Sequence, residues 1–402
     1  MSGRRVLERI LATTDVHSSF DRPLPMLAHL HAARPGALVV DCGDFFEGSG
    51  YYRLGGGAIE RRALALLYDV IAPGNHGWRH HFEPDLRAMT VCANAIDAGT
   101  GEPLFRPVRV ERIDGRQVGV TGVIGEEAFA TIPPSERTGH RVIQPVLALH
   151  ELRARYRDAV DDWIVLSHCG FDHDLALPVL CPFISVIFSG HCHSDQQGPV
   201  QVQHTLVVKG HELGSGYAEA ALRDGRWAVR ARTYPRTTRV DNSIAPLLAH
   251  IQEIRERLIN PLSPLAEPFR DTIPDRREIL MLIAHELRIR HAIDTVVLNE
   301  TSLRPIHLGS VLHEGDLLAI EPFANQLVRA HIADATGDPK DFFGKLTAQV
   351  GPLVIDHDPA APELRCALTT RYLADTFFGG RWNGPPLPLA RLVQAVLTGE
   401  RL

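Results

Sequence analysis

Side chains that commonly ligate metal ions follow several short apolar runs in this 402-residue chain. Asp15 and His17 lie two residues apart after the first run, so both can face one ion if that run is a β-strand. Later runs are followed by further groups of this kind, at Asp44, Asn75, His76, His168, His191 and His193. Together they offer two carboxylates, one amide oxygen and four or five imidazoles.

This set of side chains is larger than one metal ion needs, because a tetrahedral site takes at most four protein ligands. It suits two divalent ions about 3.5–4 Å apart that share one carboxylate. Nitrogen and oxygen ligands without thiolate favour Zn, Mn, Fe or Co. A single histidine at a strand end is more often a hydrogen-bonded structural residue. Five such motifs, each after an apolar run, favour the metal interpretation.

The apolar runs must be neighbouring strands for these side chains to converge. They are short and rich in Val, Ile and Leu, at Val6–Ala12, Ala37–Val40, Tyr68–Ile71, Trp163–Leu166 and Phe183–Phe188. Apolar residues at helical spacing lie between them, at Leu24–His31, Ile59–Leu67 and Val146–Tyr156. This alternation predicts an α/β fold, in which ligands gather at the carboxyl ends of the strands.

The sequence pattern changes near residue 241, which predicts a second domain. An amphipathic helix over Ile244–Ile259 is followed by Asn260–Pro264, whose prolines end it. Beyond this break, Arg276–His291 predicts a helix and Thr295–Leu298 a buried strand. We therefore expect a first domain over residues 1–240, a helical linker over 241–262 and a smaller domain over 263–402.

Composition excludes several classes of protein. Apolar residues make up 45% and charged residues 22%, which is typical of a globular chain. A net charge of −6 gives no sign of a nucleic-acid polymer or an anionic membrane as partner. Six cysteines are too few for a disulfide scaffold, and neither a signal peptide nor an apolar span of about 18 residues is visible. We therefore expect a cytoplasmic protein.

The ordered motifs resemble those of the calcineurin-like metallophosphoesterase superfamily. Within it they resemble the 5′-nucleotidase family, which includes UDP-sugar hydrolases and 2′,3′-cyclic phosphodiesterases. Ile10–His17 stands where that family has its Asp-x-His strand, Gly43–Ser49 matches Gly-Asp-x-x-x-Gly-Ser, and Cys92–Asn94 is similar to its Ala-Asn strand. The resemblance covers nearly the whole chain. It implies a four-layer α/β/β/α sandwich followed by a smaller α/β domain, so that the chain is α+β overall.

Carried over position by position, the resemblance implies two ligand sets that share Asp44. One ion would be held by Asp15, His17, Asp44 and His193, and the other by Asp44, Asn75, His168 and His191. Two such ions activate water, and the resulting hydroxide attacks phosphorus in line. His76 would neutralise charge on the phosphoryl oxygens and the leaving group.

The chain departs from the family directly after His76. The family continues Glu-Phe-Asp, and that Asp orients the catalytic histidine, whereas this chain has Gly77-Trp78-Arg79. Because Arg79 occupies the orienting position, a His76 left unpaired beside it would have a lowered pKa and a looser orientation. Substitution by Glu83 or Asp85, slow turnover and a specialised substrate are the alternatives.

The second half of the chain resembles the family's substrate domain more weakly. Asn299–Arg304 keeps both ends of the family's Asn-Gly-Gly-Gly-Ile-Arg loop but has lost its three glycines, and Pro322–Asn325 matches Pro-Phe-Gly-Asn. The resemblance implies that Arg304 helps to hold the phosphate, that Phe323 stacks on the nucleobase and that Asn325 bonds it. Core packing is the alternative role for Phe323.

A second aromatic clamp is implied near Tyr372–Gly380, where the aromatic residues precede the glycines instead of following them. Phe377 or Phe378 would then contact the base, with core packing as the alternative for both. The side chains at Glu300–Ser302 would restrict the close approach of backbone to ligand that glycines permit. We therefore expect a nucleotide-like substrate and a narrow pocket.

Three functions remain open from the sequence. The first is a phosphohydrolase that removes phosphate from a nucleotide or nucleotide-derived phosphomonoester, with a biosynthetic or salvage role favoured by the lack of a visible export signal. The second is a cyclic-nucleotide phosphodiesterase or UDP-sugar hydrolase that uses the same centre. The third is a catalytically weak nucleotide-binding protein, which the full set of ligand positions disfavours.

Overall fold

The structure is a computed structural model of the chain, and it describes residues 5–332, 339–361 and 364–401. The chain divides into two compact units, Met1–Ile254 and Arg255–Leu402. This division lies within the segment expected to be a linker, and the finer boundaries at residues 240 and 262 stay a prediction.

The first unit alternates strands and helices, as the sequence pattern predicts. Its strands are β1 (Arg9–Thr13), β2 (Ala37–Asp41), β3 (Val70–Ile71), β4 (Ala95–Asp97), β5 (Arg109–Ile113), β6 (Arg116–Ile124), β7 (His140–Val142), β8 (Asp162–His168), β9 (Ile184–Ser189), β10 (Val200–Val202), β11 (Thr205–Lys209), β12 (Gly216–Arg223) and β13 (Arg226–Thr233). Its helices are α1 (Pro23–Ala33), α2 (Gly50–Gly55), α3 (Ala58–Leu67), α4 (Pro84–Met89), α5 (Glu126–Thr131), α6 (Pro134–Arg137), α7 (Pro145–Tyr156) and α8 (Phe171–Leu180). A 3₁₀ helix over Trp78–Phe82 follows β3, and α9 (Ala245–Leu258) contains the division between the units.

Two sheets face each other in this unit, with the strand orders β13-β12-β1-β2-β3 and β10-β11-β9-β8-β6-β5. Apolar side chains from both sheets, such as Ile10 and Val40 from one and Leu166 from the other, form a shared core. On the outer face of the larger sheet, Leu149 of α7 packs with Val165.

Helix α1 covers the outer face of the smaller sheet, where its His29 ring stacks on Tyr217 of β12 with ring centroids 4.6 Å apart. The order helix, sheet, sheet, helix confirms the expected four-layer sandwich.

Some predicted element ends are wrong by a few residues. The first strand begins at Arg9 instead of Val6, whose side chain is 76% exposed. Asn260–Pro264, predicted only to break a helix, contains a short strand over Pro261–Pro264 that pairs antiparallel with Val311–His313. A proline-containing strand is tolerated there because a strand at a sheet edge leaves some backbone N–H groups unused.

The second unit is built on one mixed sheet and its flanking helices. Its strands are β14 (Pro261–Pro264), β15 (Thr295–Asn299), β16 (Val311–His313), β17 (Gln326–His331), β18 (Leu353–His357), β19 (Cys366–Thr370) and β20 (Trp382–Pro388). Its helices are α10 (Arg276–Arg290), α11 (Glu314–Ile320), α12 (Pro339–Val350), α13 (Arg371–Phe377) and α14 (Leu389–Thr398), with 3₁₀ turns over Glu267–Phe269 and Glu300–Ser302.

The main sheet of this unit has the order β18-β15-β19-β17-β20 and is buried on both faces. Val296 and Leu298 of β15 pack in one core with α10 and α14, while Val297 packs in the other core with Phe343 of α12. Successive residues of a strand point to opposite faces, so this continuous apolar run indicates a strand covered on both sides.

Candidate metal centre

The predicted ligand residues meet at the carboxyl ends of parallel strands. β1, β2 and β3 are parallel neighbours in one sheet, and β8 and β9 are parallel neighbours in the other. Asp15 and His17 follow β1, Asp44 follows β2, Asn75 and His76 follow β3, His168 ends β8, and His191 and His193 follow β9. Parallel pairing therefore brings residues from distant parts of the sequence to one edge, where α/β sheets bind ligands.

Glycines allow the loops to approach this closely. A Cβ atom at Gly74 would lie 2.0 Å from Oδ1 of Asp44, and one at Gly190 would lie 2.4 Å from Oγ1 of Thr14. Gly43 has a φ of +104°, and a Cβ there would lie 2.6 Å from Nδ1 of His168. The three loops thus pack backbone directly against the polar side chains of the site.

Three groups of side chains in the described residues have potential ligand atoms within 4.8 Å of one another. The first group is Asp15, His17 and His193, and the second is Asp44, His168 and His191. The third is His17, Asp44 and His76, which links the other two. Asn75 adjoins the second group, because its Oδ1 lies 3.2 Å from Nε2 of His168.

Asp44 lies at the middle of the cluster. Its Oδ2 atom is 3.3 Å from Nε2 of His168 and 3.7 Å from Nε2 of His17, and its Oδ1 accepts a hydrogen bond of 2.8 Å from the backbone N–H of His76. Burial alone would raise the pKa of Asp44, but the neighbouring His168, His76 and His17 hold it below its usual value. The carboxylate is therefore ionised and surrounded by nitrogen atoms of these histidines.

His17 provides a direct test of whether the cluster fits metal ions. Its side chain is buried, yet neither Nδ1 nor Nε2 has a hydrogen-bond partner among the described residues. Burial lowers the pKa of His17 to about 4, so its ring is neutral. Unpartnered buried polar atoms are costly and rare, and a neutral imidazole is the form that ligates metals. The donor set therefore fits divalent cations.

Other features of the cluster agree with that fit. Nδ1 of His168 lies 2.9 Å from the backbone oxygen of Cys42, which fixes this ring from one side and leaves Nε2 toward Asp44. Burial would lower the pKa of His168, but Asp44 raises it to about 9, so the carboxylate attracts positive charge, which a bound cation would supply in place of the proton on this ring. Burial raises the pKa of Asp15, and a nearby cation would favour its ionised form.

The backbone is strained at four of the predicted ligands. Asp15, His17, Asp44 and His191 have φ values of 49°, 50°, 55° and 78°. Non-glycine residues rarely adopt this left-handed conformation, and such residues cluster at functional sites. The strained backbone at these four residues is therefore consistent with a functional role for their side chains.

The sequence did not indicate two residues, Glu212 and Lys209, that support His193. Oε2 of Glu212 lies 2.6 Å from Nδ1 of His193, and Oε1 of Glu212 contacts Nζ of Lys209, whose side chain is only 1% exposed. Lys209 also donates to the backbone oxygens of Cys192 and Ser194, at 2.6 and 2.7 Å. The pair thus anchors the loop that carries His191 and His193. No spacing motif marks them, since the pairing of β9 with β11 brings them there.

His76 is paired with a neighbouring carboxylate, which is neither Glu83 nor Asp85. Nδ1 of His76 lies 3.2 Å from Oε2 of Glu47, in the loop after β2. Burial would lower the pKa of His76, but Glu47 and Asp44 raise it above its usual value. Arg79 donates instead to the hydroxyl of Tyr52, at 2.7 Å. The expected substitute Glu83 lies 2.6 Å from the ring of His80.

In the second unit, two of the predicted substrate residues lie together. The guanidinium carbon of Arg304 is 5.4 Å from the centre of the Phe323 ring, within the range of a cation–π contact. The Phe323 side chain is 53% exposed, so the core-packing alternative is wrong for it. Asn325 donates from its backbone N and from Nδ2 to Oε1 of the buried Glu321, at 2.9 and 2.8 Å.

The two predicted clamp residues lie in or against the core. Phe378 is 3% exposed and packs near Phe342, with ring centroids 6.0 Å apart. Its prediction as a substrate contact is corrected to the core-packing alternative, because the adjacent glycines turn the chain after it. Phe377 is partly buried against the same core and lies 6.1 Å from the ring of Tyr372.

Comparison with known proteins relates the first unit to a family. Residues 8–195 match the family model of calcineurin-like phosphoesterases, and this range contains every predicted metal ligand. The match covers just under half of the chain, and over this range the chain is similar to the calcineurin-like phosphoesterase family. The resemblance inferred from the motifs is therefore confirmed, and the first unit has side chains suited to the divalent metals that this family uses.

A curated relative extends this relationship. The chain is 32% identical to an apyrase from Tabanus yao over 170 residues, which are 39% of this chain and 30% of that protein. The chain thus spans less than a third of the length of this relative.

Solved structures match the fold over nearly the whole chain. The 5′-nucleotidase precursor from Thermus thermophilus is 17% identical with a TM-score of 0.67, and 97% of this chain and 96% of that chain are covered. The sulfate thiohydrolase SoxB from the same organism is 18% identical with a TM-score of 0.68, and 98% of this chain and 95% of that chain are covered. The expected two-part fold is confirmed, while the difference between those two activities means that the fold does not fix the substrate. Among the described residues, no helix is long and apolar enough to cross a membrane.

Proposed function

We propose that the protein is a metal-dependent phosphohydrolase that removes phosphate from a nucleotide or a nucleotide-derived phosphomonoester. Two divalent ions, of Zn, Mn, Fe or Co, would be held by the ligand sets expected from the sequence, with Asp44 shared between them. The observation that carries the proposal is the position of Asp44 between His17 and His168, with both ring nitrogens of His17 unpartnered among the described residues.

The chain's own residues perform defined tasks in this proposal. Bound ions supply Lewis-acid charge and activate water as a nucleophile near neutral pH. Asp44 lies where its negative charge reduces repulsion between two cations. His76 lies beside Asp44 and stabilises negative charge on the phosphoryl oxygens or the leaving group. A phosphorylated side chain is not required, because water is the nucleophile.

The proposed substrate class rests on the relatives and on the second unit. The apyrase and the 5′-nucleotidase precursor act, by their names, on nucleotides. The exposed Phe323 ring beside Arg304 suits the stacking of a base and the binding of an anionic group. We assign Arg304, Phe323 and Asn325 to substrate binding and give Phe377 no separate role.

A narrow substrate range is part of this proposal. In the turn over Glu300–Ser302, the Glu300 carboxylate contacts the guanidinium of Arg277, and Ser302 is buried. Side chains with these contacts occupy positions where the family has glycines. Equal rates on AMP, UMP, GMP and CMP would contradict a narrow pocket.

Hydrolysis of phosphodiesters is the second candidate function, because the same centre suits both reactions. Protein freed of metal and reloaded separately with Mn²⁺, Co²⁺ or Zn²⁺ should be assayed with nucleoside 5′-, 3′- and 2′-monophosphates, 2′,3′-cyclic nucleotides and UDP-glucose. Asp44→Asn serves as the control. We expect the highest kcat/KM on one monophosphate class. Preference for a diester would favour the second candidate, and nucleotide binding without turnover would favour a catalytically weak binding protein.

A further inference from the structure

The carboxylate of Glu47 is the partner of the His76 ring. Oε2 of Glu47 lies 3.2 Å from Nδ1 of His76. A carboxylate only accepts hydrogen bonds when it is ionised, so Nδ1 carries the proton in this pair. The ring is thereby fixed in one orientation, and Nε2 is the nitrogen left for other contacts.

The neighbouring charged groups that could compete for His76 have other partners. Arg79 donates to Tyr52 and lies 3.4 Å from Oε1 of Glu136. Glu83 contacts His80 and Arg61. Glu47 therefore makes the contact with His76 that the family's motif would place at residue 79.

The backbone at Glu47 gives an independent indication of function. Its φ is +66°, in the left-handed region that glycine adopts without cost. The next residue, Gly48, also has a positive φ of 92°. A side chain placed at such a strained position costs stability, and strain of this kind concentrates at functional sites. A purely structural turn would be more stable with glycine at position 47.

We propose that Glu47 is the positioning residue for His76, in place of the aspartate that this chain lacks. Glu47 acts only through the imidazole: it holds Nδ1–H and keeps Nε2 available to stabilise charge on the leaving group. This role rests on the proposed phosphohydrolase function. It explains how the chain keeps an oriented histidine although Arg79 stands in the orienting position.

A double-mutant cycle tests this role with the metal-loaded full chain. Glu47→Gln should lower kcat on the best nucleotide by about 10–10²-fold, and His76→Ala should lower it by about 10²–10⁴-fold. KM should change little in both variants. In the His76→Ala background, Glu47→Gln should have no further effect, because Glu47 acts through the ring. Glu47→Asp should recover part of the loss, and Glu83→Gln, which removes a neighbouring Glu–His contact, should leave kcat unchanged.

The leaving group and the stability of the fold provide further readouts. The effect of Glu47→Gln should be much smaller on p-nitrophenyl phosphate, because nitrophenolate leaves readily as an anion and a nucleoside alkoxide does not. Glu47→Gly should unfold at a temperature no lower than that of the unsubstituted protein, because it relieves backbone strain. Metal content should stay at the unsubstituted level in all these variants. Additive effects of Glu47→Gln and His76→Ala, or loss of metal from Glu47→Gln, would overturn the proposal.

A measurement without turnover separates this proposal from the proposed function. Proton NMR of ¹⁵N-histidine-labelled protein should show a downfield Nδ1–H resonance that is absent from both His76→Ala and Glu47→Gln. If no phosphate ester is hydrolysed but this resonance behaves as stated, the phosphohydrolase function fails while the Glu47–His76 pairing stands. If the resonance persists in Glu47→Gln, the positioning role is wrong whatever the activity.

Discussion

Nδ1 of His193 lies 2.6 Å from Oε2 of Glu212, and the other carboxylate oxygen of Glu212 contacts the buried ammonium group of Lys209. Histidines that ligate metals commonly donate their second ring N–H to a carboxylate, which fixes the tautomer and the ring orientation. The His193 ring is more than half exposed, so Glu212 is the contact that restrains it.

Glu212→Gln should therefore lower the affinity for one of the two metal ions by about 10–100-fold and leave the affinity for the other unchanged. The measurement is metal content after dialysis against a graded series of chelator concentrations. Glu219→Gln, which changes a carboxylate paired with Arg230 in the same unit, is the control and should keep both equivalents. Equal metal retention by the two variants would remove Glu212 from the support of the site.

Gly74 is expected to be intolerant of any side chain. A Cβ there would lie 2.0 Å from Oδ1 of Asp44, so Gly74→Ala must displace the carboxylate shared by the ligand groups. We expect loss of at least one metal equivalent and of most activity. Gly36→Ala is the matched control, because a Cβ there meets nothing within 4 Å. If Gly74→Ala retains metal and activity as Gly36→Ala does, the assigned position of Asp44 is wrong.

Asp69 should make the stability of the first unit depend on pH. Arg5 donates hydrogen bonds to both carboxylate oxygens of Asp69, at 2.7 and 2.9 Å, and Arg34 lies 3.1 Å from one of them. Burial would raise the pKa of Asp69, but the bonds from Arg5 and from the Val39 backbone, together with Arg34, lower it. A carboxyl group with a depressed pKa stabilises the fold above its unfolded pKa of about 3.9, and this contribution is lost as pH falls through the folded pKa.

Asp69→Asn should thus lower the free energy of unfolding by about 1–3 kcal/mol at pH 7. The difference in this free energy between the unsubstituted protein and the variant should shrink steadily as the pH is lowered below 4. Urea unfolding of both proteins in excess chelator measures this without a contribution from metal loss. A difference that is the same at pH 7 and pH 3 would show that the ionised carboxylate is not the cause.

Phe323 should contribute to nucleotide recognition and not to phosphate chemistry. Phe323→Ala is expected to lower kcat/KM on the best nucleotide by an amount equivalent to about 1–3 kcal/mol, the range measured for base–aromatic stacking. Turnover of p-nitrophenyl phosphate should stay unchanged, because that ester has no nucleobase. Ile289→Ala, which removes another exposed apolar side chain of this unit, controls for lost surface. An equal loss on both substrates would contradict base stacking.

The convergence of the candidate metal ligands could be predicted from the sequence because their positions follow from a simple rule. In an α/β fold, the residue that follows a buried apolar run lies at a strand end, and Asp44 and His168 therefore converge although 124 residues separate them. The α/β class followed from the alternation of these runs with helical spacing, whereas the four-layer sandwich was implied by the resemblance to a known family. The rule for strand ends and the alternation depend only on local patterns, which the tertiary structure preserves.

Glu47 and Glu212 could not be predicted in the same way. Glu212 reaches His193 because a loop after β11 lies beside the loop after β9, and Glu47 reaches His76 through a turn of positive φ. Such contacts depend on the path of irregular backbone, which no periodic pattern encodes. The same limit applies to Phe377 and Phe378, since the order of adjacent aromatic residues does not state which of them faces the core.

Metal-free protein titrated with Mn²⁺ provides the most direct test of the central claim. Phosphate release from the preferred nucleoside monophosphate should be negligible without metal, rise with added Mn²⁺ and reach its plateau at two equivalents. Asp44→Asn should retain at most one tightly bound equivalent and release phosphate at a rate near background. Full activity without metal, a plateau at one equivalent, or an Asp44→Asn variant that matches the unsubstituted protein would contradict a dinuclear phosphohydrolase centred on Asp44.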